Sequence, residues 1–168
     1  MRAPTCYACF CSDGDTCPCD ECSKWYEADR ADGTDWLTRL NRAFPCPCTE
    51  AIANSQSADW GADLACYAYG LPRCGKFHPG ADHCIRSARL SGDGARQQCC
   101  YDAAGNLLRP GHPGAGMPDR AADKWLQFDL EHQRRDVKPY ETCCDECEIA
   151  SYCDLYMELR MGSADHCP

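Results

Sequence analysis

Apolar positions along this chain come in short, interrupted groups. From Lys24 to Phe44 they follow a helical period: Trp25 and Tyr26 lead, and Trp36, Leu40 and Ala43 then fall on one face. Asp35 is the expected N-cap there and Pro45 the stop. Thr49 is placed to cap a short helix over Glu50, Ala51, Ile52 and Ala53, and Asn54 to Gly61 reads as a polar loop. Cys66 and Cys74 bracket a turn-rich aromatic segment with Tyr67, Tyr69, Gly70 and Pro72. Gln97-Gln98-Cys99-Cys100-Tyr101, the turn Asp102 to Gly105 and Asn106-Leu107-Leu108 together predict a β-hairpin. The Gly- and Pro-rich run from Arg109 to Met117 is expected to be an exposed loop. Pro118-Asp119-Arg120 is expected to open a helix running to about Arg135, with Trp125, Leu126 and Phe128 inward and Pro139 ending it. A final helix is expected from Cys143-Cys144 to Met161, with Ile149, Tyr152, Cys153, Tyr156, Met157 and Leu159 recurring along it.

Composition changes how that pattern must be stabilised. Leu, Ile, Val and Phe together number 19 of 168 residues, and only one is Val, whereas cysteines number 18. So few apolar residues with a net charge of −9 would leave a chain near the disordered class without cross-links. Each disulfide contributes about 2–4 kcal/mol by restricting the unfolded chain, although nested loops do not add independently. The expected fold is therefore a small disulfide-rich α+β domain, a short β-hairpin core with a few helices stapled by about nine disulfides.

Adjacent cysteines on a strand point to opposite faces, and their Cα atoms, about 3.8 Å apart, are too close for an ordinary disulfide. Cys99 and Cys100 are thus expected to take different partners and to rivet two layers together. Cys6, Cys9, Cys11, Cys17, Cys19 and Cys22 form a nearly mirror-symmetric group around Ser12 to Thr16. Thiolates at that spacing suit zinc or another soft metal, and a small disulfide knot is the other reading. An even cysteine count implies an oxidising compartment, which favours the knot, since thiolates are consumed there.

Such a compartment places the protein outside the cell, secreted or at the cell surface. No apolar run follows Met1 as a signal peptide would require, and no stretch approaches the length of a membrane span. A mature or excised segment is the corresponding expectation. Asn41, Asn54 and Asn106 all lack the hydroxyl residue of a glycosylation sequon. The excess of 26 acidic over 17 basic side chains disfavours nucleic acid and anionic membranes as partners.

Catalytic chemistry has little support in the residues. His78 and His83 flank Asp82, but they lie in a turn between two cysteines without a third partner spaced to complete a site, so structural hydrogen bonds are expected of them. Glu141 to Cys147 looks superficially like the paired-cysteine helix of secreted phospholipases A2. Asp145 and Glu146 follow the pair where that family needs a histidine. Nucleophile-elbow, phosphate-loop and zinc-protease motifs are missing. The expectation is no enzyme, no cofactor and no metal.

The cysteine frame has a closer likeness. Pro45-Cys46-Pro47-Cys48-Thr49, Cys66, the run Cys74 to Ser87 containing Phe77-His78-Pro79-Gly80-Ala81 and His83-Cys84-Ile85-Arg86-Ser87, Gln97 to Tyr101, Pro118-Asp119-Arg120, and Cys143, Cys144, Cys153 and Cys167 together closely resemble the AMOP domain. That is an extracellular adhesion-associated module found in a membrane mucin, in isthmins and in sushi-domain proteins. The resemblance covers Cys22 to Cys167 and implies adhesion, with no catalytic residues to transfer. Cys147 is extra to it, as are Cys6, Cys9, Cys11, Cys17 and Cys19. These six suffice for three further bonds, one linking the N-terminal knot to the last helix through Cys147.

The chain is accordingly divided into an N-terminal knot, residues 1–21, and an AMOP-like domain, residues 22–168. The resemblance implies adhesion and extracellular architecture; the expected work is that of a structural or adhesion module that binds itself or other matrix and cell-surface proteins, with a fibre, coat or matrix assembly as the product. A monomeric binding module is the alternative, with Trp25, Tyr26, Tyr67 and Tyr69 as an aromatic patch for a receptor or glycan. Metal binding by the N-terminal cysteines is the third class.

Overall fold

The computed structural model describes residues 17–63, 74–121, 130–162 and 166–167. Helix α1 (Pro18–Ala31) starts on a proline whose fixed φ suits a first turn, with Asp20 and Glu21 at the positive end of the helix dipole and Arg30 at the other. Of the cysteines of the expected knot, Cys19 and Cys22 lie on this helix and Cys17 is at its N-cap. Residues 1–16 lie outside the described residues.

Helix α2 (Asp35–Ala43) begins one residue earlier than expected, with Thr34 at the N-cap. Trp36 and Leu40 are buried while Ala43, at the helix end, is exposed. Thr49 caps α3 (Glu50–Ser55) as expected, its hydroxyl accepting from the Ile52 amide at 3.3 Å. The polar run beyond it conceals strand β1 (Trp60–Ala62), too short to show alternation. Helix α4 (Cys74–Phe77) is a single turn.

β1 pairs antiparallel with β2 (His83–Ser87), and β2 pairs antiparallel with β3 (Gln98–Tyr101). The registers align Trp60 with Ser87, Cys84 with Cys100 and Ile85 with Cys99. The turn after β3 forms as expected: the Asp102 carboxylate accepts from the Ala104 and Asn106 amides, and Gly105 takes φ 78°. Its returning arm is reduced to two bridges, Tyr101 with Leu107 and Thr49 with Asn106, so the main partner of β3 is β2.

All four residues of β3 are buried, because both sheet faces are covered. One face packs Cys99 and Tyr101 with Cys46, Ala53, Trp60 and Ile85. Ala81 and Leu108 pack on Cys84 and Cys100 on the other. Beside β3, continuing from the Arg96–Asp119 bridge, lies the segment Gly114 to Asp119, all six residues of which are buried, contrary to the exposed loop expected through Met117. Its glycines are what permit this. A Cβ on Gly116 would collide with the Gln98 carbonyl of β3, and one on Gly114 would sit 2.7 Å from the Pro79 oxygen. Asp119, expected to open a helix, instead exchanges backbone hydrogen bonds with Arg96. Trp125, Leu126 and Phe128 lie outside the described residues.

Beyond them the chain coils continuously through α5 (Leu130–His132), a π-helical stretch π1 (Gln133–Val137), α6 (Lys138–Tyr140) and a second stretch π2 (Glu141–Glu146). Pro139 does not end this rod. The wide turns on either side, where Lys138 N–H reaches Gln133 and Cys147 N–H reaches Thr142, give the ring room that regular α-geometry denies it. The last helix is broken at Cys147 to Ile149, so Cys143 and Cys144 lie in π2 and only α7 (Ala150–Arg160) follows. Tyr156 and Leu159 face inward, while Ile149 is exposed. Cys22, Met117, Tyr140, Cys143 and Tyr156 form the core between α1, π2 and α7.

Candidate functional site

Six disulfides join described residues: Cys19–Cys147, Cys22–Cys143, Cys46–Cys99, Cys48–Cys167, Cys84–Cys100 and Cys144–Cys153. Cys17 is disulfide-bonded as well. Cys6, Cys9, Cys11 and Cys66 lie outside the described residues, and Cys74 opens α4. Cys19 and Cys22, three apart on α1, meet Cys147 and Cys143, four apart at the end of the rod, so two parallel rungs clamp the elements together. Cys99 and Cys100 do bond to different partners, but only Cys99 leaves the sheet. Cys100 stays within it, joined to its register partner Cys84 on β2.

With Cys17, Cys19 and Cys22 in disulfides, a six-thiolate metal cluster loses half its donors. Two other groups with metal-like spacing, His78 with Cys84 and Cys100 and His166 with Cys48 and Cys167, have their sulfurs bonded to each other. His78 and His83 serve separate structural contacts. His78 is buried with Nδ1 2.9 Å from the Ala115 carbonyl, and burial pulls its pKa down to about 4 despite that bond. His83 stacks on Tyr101 and lies 3.3 Å from Glu50.

The interior also holds a chain of charges that the sequence reading missed. Arg86 on β2 bridges Asp63, at 2.8 Å, and Asp119. Asp119 faces His132 at 3.9 Å, and His132 lies 3.3 Å from Asp136. Asp136 also accepts from the Arg120 and Ala121 amides and from Arg160 Nε at 2.9 Å. Arg160 is fully buried and grips Asp29 of α1 with two further bonds, at 2.7 and 3.1 Å. Its remaining N–H groups donate to the Leu159 and Arg135 carbonyls, so all five donors are satisfied. Pro139 has no N–H to offer the Arg135 carbonyl four residues back, and Arg160 takes its place. The guanidinium lies 5.2 Å from the Trp25 ring and 5.4 Å from Trp36.

Burial pushes the Asp119 carboxyl up to about 6 against the pull of Arg86 and His132. Burial alone would lower His132, but the Asp136 hydrogen bond and the Asp119 charge hold it above its ordinary value. Asp136 is held low in spite of burial by His132 and Arg160. Asp119, His132 and Asp136 converge closely enough for a cation, yet their charges already answer one another and the two arginines. The cluster does the work of a structural ion network.

The aromatic patch is half consumed by packing. Tyr26 is buried, and Trp25 stacks on Tyr156 with ring centroids 5.3 Å apart. Tyr67 and Tyr69 lie outside the described residues. Among the described residues, no helix is long and apolar enough to cross a membrane.

Comparison with known proteins agrees with the cysteine frame. The chain is 33% identical over 152 residues to human Sushi domain-containing protein 2, covering 83% of this chain and 17% of that protein. It is 35% identical over 157 residues to Protein mesh of Bombyx mori, covering 86% of this chain and 9% of that protein. The chain therefore spans less than a fifth of the length of either curated relative. No solved structure matches. The disulfides are consistent with an extracellular setting. The AMOP domain model matches residues 17–167, nearly the whole chain, and the protein belongs to this extracellular adhesion-associated family.

Proposed function

We propose that this chain is an extracellular adhesion module that associates with copies of itself, holding a rigid surface in a fibre, coat or matrix assembly. Membership of the AMOP family carries the adhesion reading. The disulfide frame supports it physically: a surface whose elements are cross-linked loses little conformational entropy when a partner docks, which is what repeated weak contacts in an assembly require. A secreted or cell-surface location and about nine disulfides in total belong to the same proposal, as does a separate N-terminal unit over residues 1–21. The burial of Tyr26 and the packing of Trp25 count against the aromatic patch of the monomeric alternative.

The test is the particle mass of the native, non-reduced protein by light scattering, with electron microscopy of the same sample. Particles well above 18.6 kDa that shrink on dilution are expected. A single 18.6 kDa species at every concentration would remove self-association and leave a heterologous receptor or glycan as the partner.

A further inference from the structure

Among the described residues, the three disulfides with the longest reach share one topological property. Cys19–Cys147, Cys22–Cys143 and Cys48–Cys167 span 128, 121 and 119 residues, and each ties the first part of the chain to the last. Tension entering at Cys17 therefore need not traverse the fold. It crosses from Cys19 to Cys147, returns three residues to Cys144, crosses to Cys153 and runs on to Cys167. That route contains about 20 residues of backbone, so the distance from Cys17 to Cys167 cannot exceed roughly 80 Å even with every non-covalent contact broken. The uncrosslinked stretch of 150 residues would extend to about 500 Å.

We infer that the module is a covalently shunted, load-bearing link, in which the sheet, the Gly114 to Asp119 segment and the Asp63, Arg86, Asp119, His132 and Asp136 part of the ion network hang in a closed loop off the shortest path of force. Between Cys22 and Cys143 the chain is closed on itself by the outermost rungs, so the shortest covalent route of end-to-end tension bypasses the sheet. The rungs are redundant. With Cys19–Cys147 gone, the route through Cys22–Cys143 is only about one residue longer, and Cys48–Cys167 closes a second route in parallel. A surface displayed on the enclosed loop keeps its shape while the chain on either side is pulled. This property does not depend on self-association, because it belongs to the single chain.

The test is single-molecule pulling on the whole oxidised protein, tethered through tags at its two ends. The oxidised chain is expected to lengthen by no more than about 100 Å beyond its flanking residues, and adding a phosphine reductant to the tethered molecule is expected to release about 400 Å more. A Cys19→Ala/Cys147→Ala protein is expected to show the same limit as the parent. Lengthening of the oxidised parent by several hundred ångströms would overturn the inference, and since that readout uses the unmodified sequence, a variant that fails to fold does not protect it.

Discussion

At the scale of single residues, Arg160 joins parts of the chain that lie far apart in sequence. It draws α1, the rod and α7 together by bonding Asp29, Asp136 and the Arg135 carbonyl from one fully buried position. Replacing an entire buried ion network by apolar groups is often neutral, whereas removing one member strands the others without solvent or partner. Arg160→Met is therefore expected to cost about 3–5 kcal/mol, read as a fall in the urea midpoint. Arg160→Lys should recover only part of this, because an ammonium cannot reproduce the five-donor fork. A midpoint unchanged by Arg160→Met would mean that Asp29 and Asp136 find other partners.

At the scale of elements, the joint between α1 and π2 is a ladder of two disulfides whose loops are nearly coextensive. Once Cys19–Cys147 is closed, Cys22–Cys143 excludes few additional unfolded conformations, and the reverse holds as well. Either cysteine pair changed to alanine should cost less than about 2 kcal/mol in chain entropy, while loss of both pairs should cost about 4–5 kcal/mol. Thermal unfolding of the two single-pair proteins and the double-pair protein checks this, and simple additivity would show that the rungs act independently. The π-helical geometry bears on the same joint, since it lets the rod continue past Pro139 to deliver Cys143 and Cys147 to α1.

At the scale of the whole molecule, the ion network makes stability depend on pH in a direction set by opposing groups. His132, held above its ordinary value, contributes stability that is present below about pH 6.5 and lost as pH rises through its folded value. Asp119, raised to about 6, favours the fold increasingly as pH falls from 6 towards 3.8. His78, lowered to about 4, does the opposite between 6.5 and 4, because the unfolded chain takes up its proton first. Asp136, held low, contributes above 3.8 and is lost as pH falls through its folded value. The urea midpoint should therefore rise as pH falls through the folded value of His132 to about 6.5, change little down to about pH 4, and fall below it. His132→Gln should flatten the first segment, and a rise that survives that substitution would assign it to another group.

What the sequence determined by itself was local or arithmetical. The scarcity of large apolar residues beside 18 cysteines required a cross-linked α+β domain, adjacency of Cys99 and Cys100 required separate partners, and Thr49 and Asp102 announced a cap and a turn through short-range hydrogen bonds. The order of cysteines also carried the family. Only the tertiary structure decided which cysteines pair, because sequence distance says nothing about meetings across 119 to 128 residues. It also decided that the glycines of residues 114–116 serve close packing against β3, where Gly and Pro alone suggest an exposed loop. Nothing in the local pattern singles out Arg160 or Asp136, and Pro139 reads as a stop. Their burial and tolerance depend on counter-charges and a spare carbonyl supplied from elsewhere in the chain, which no local pattern records.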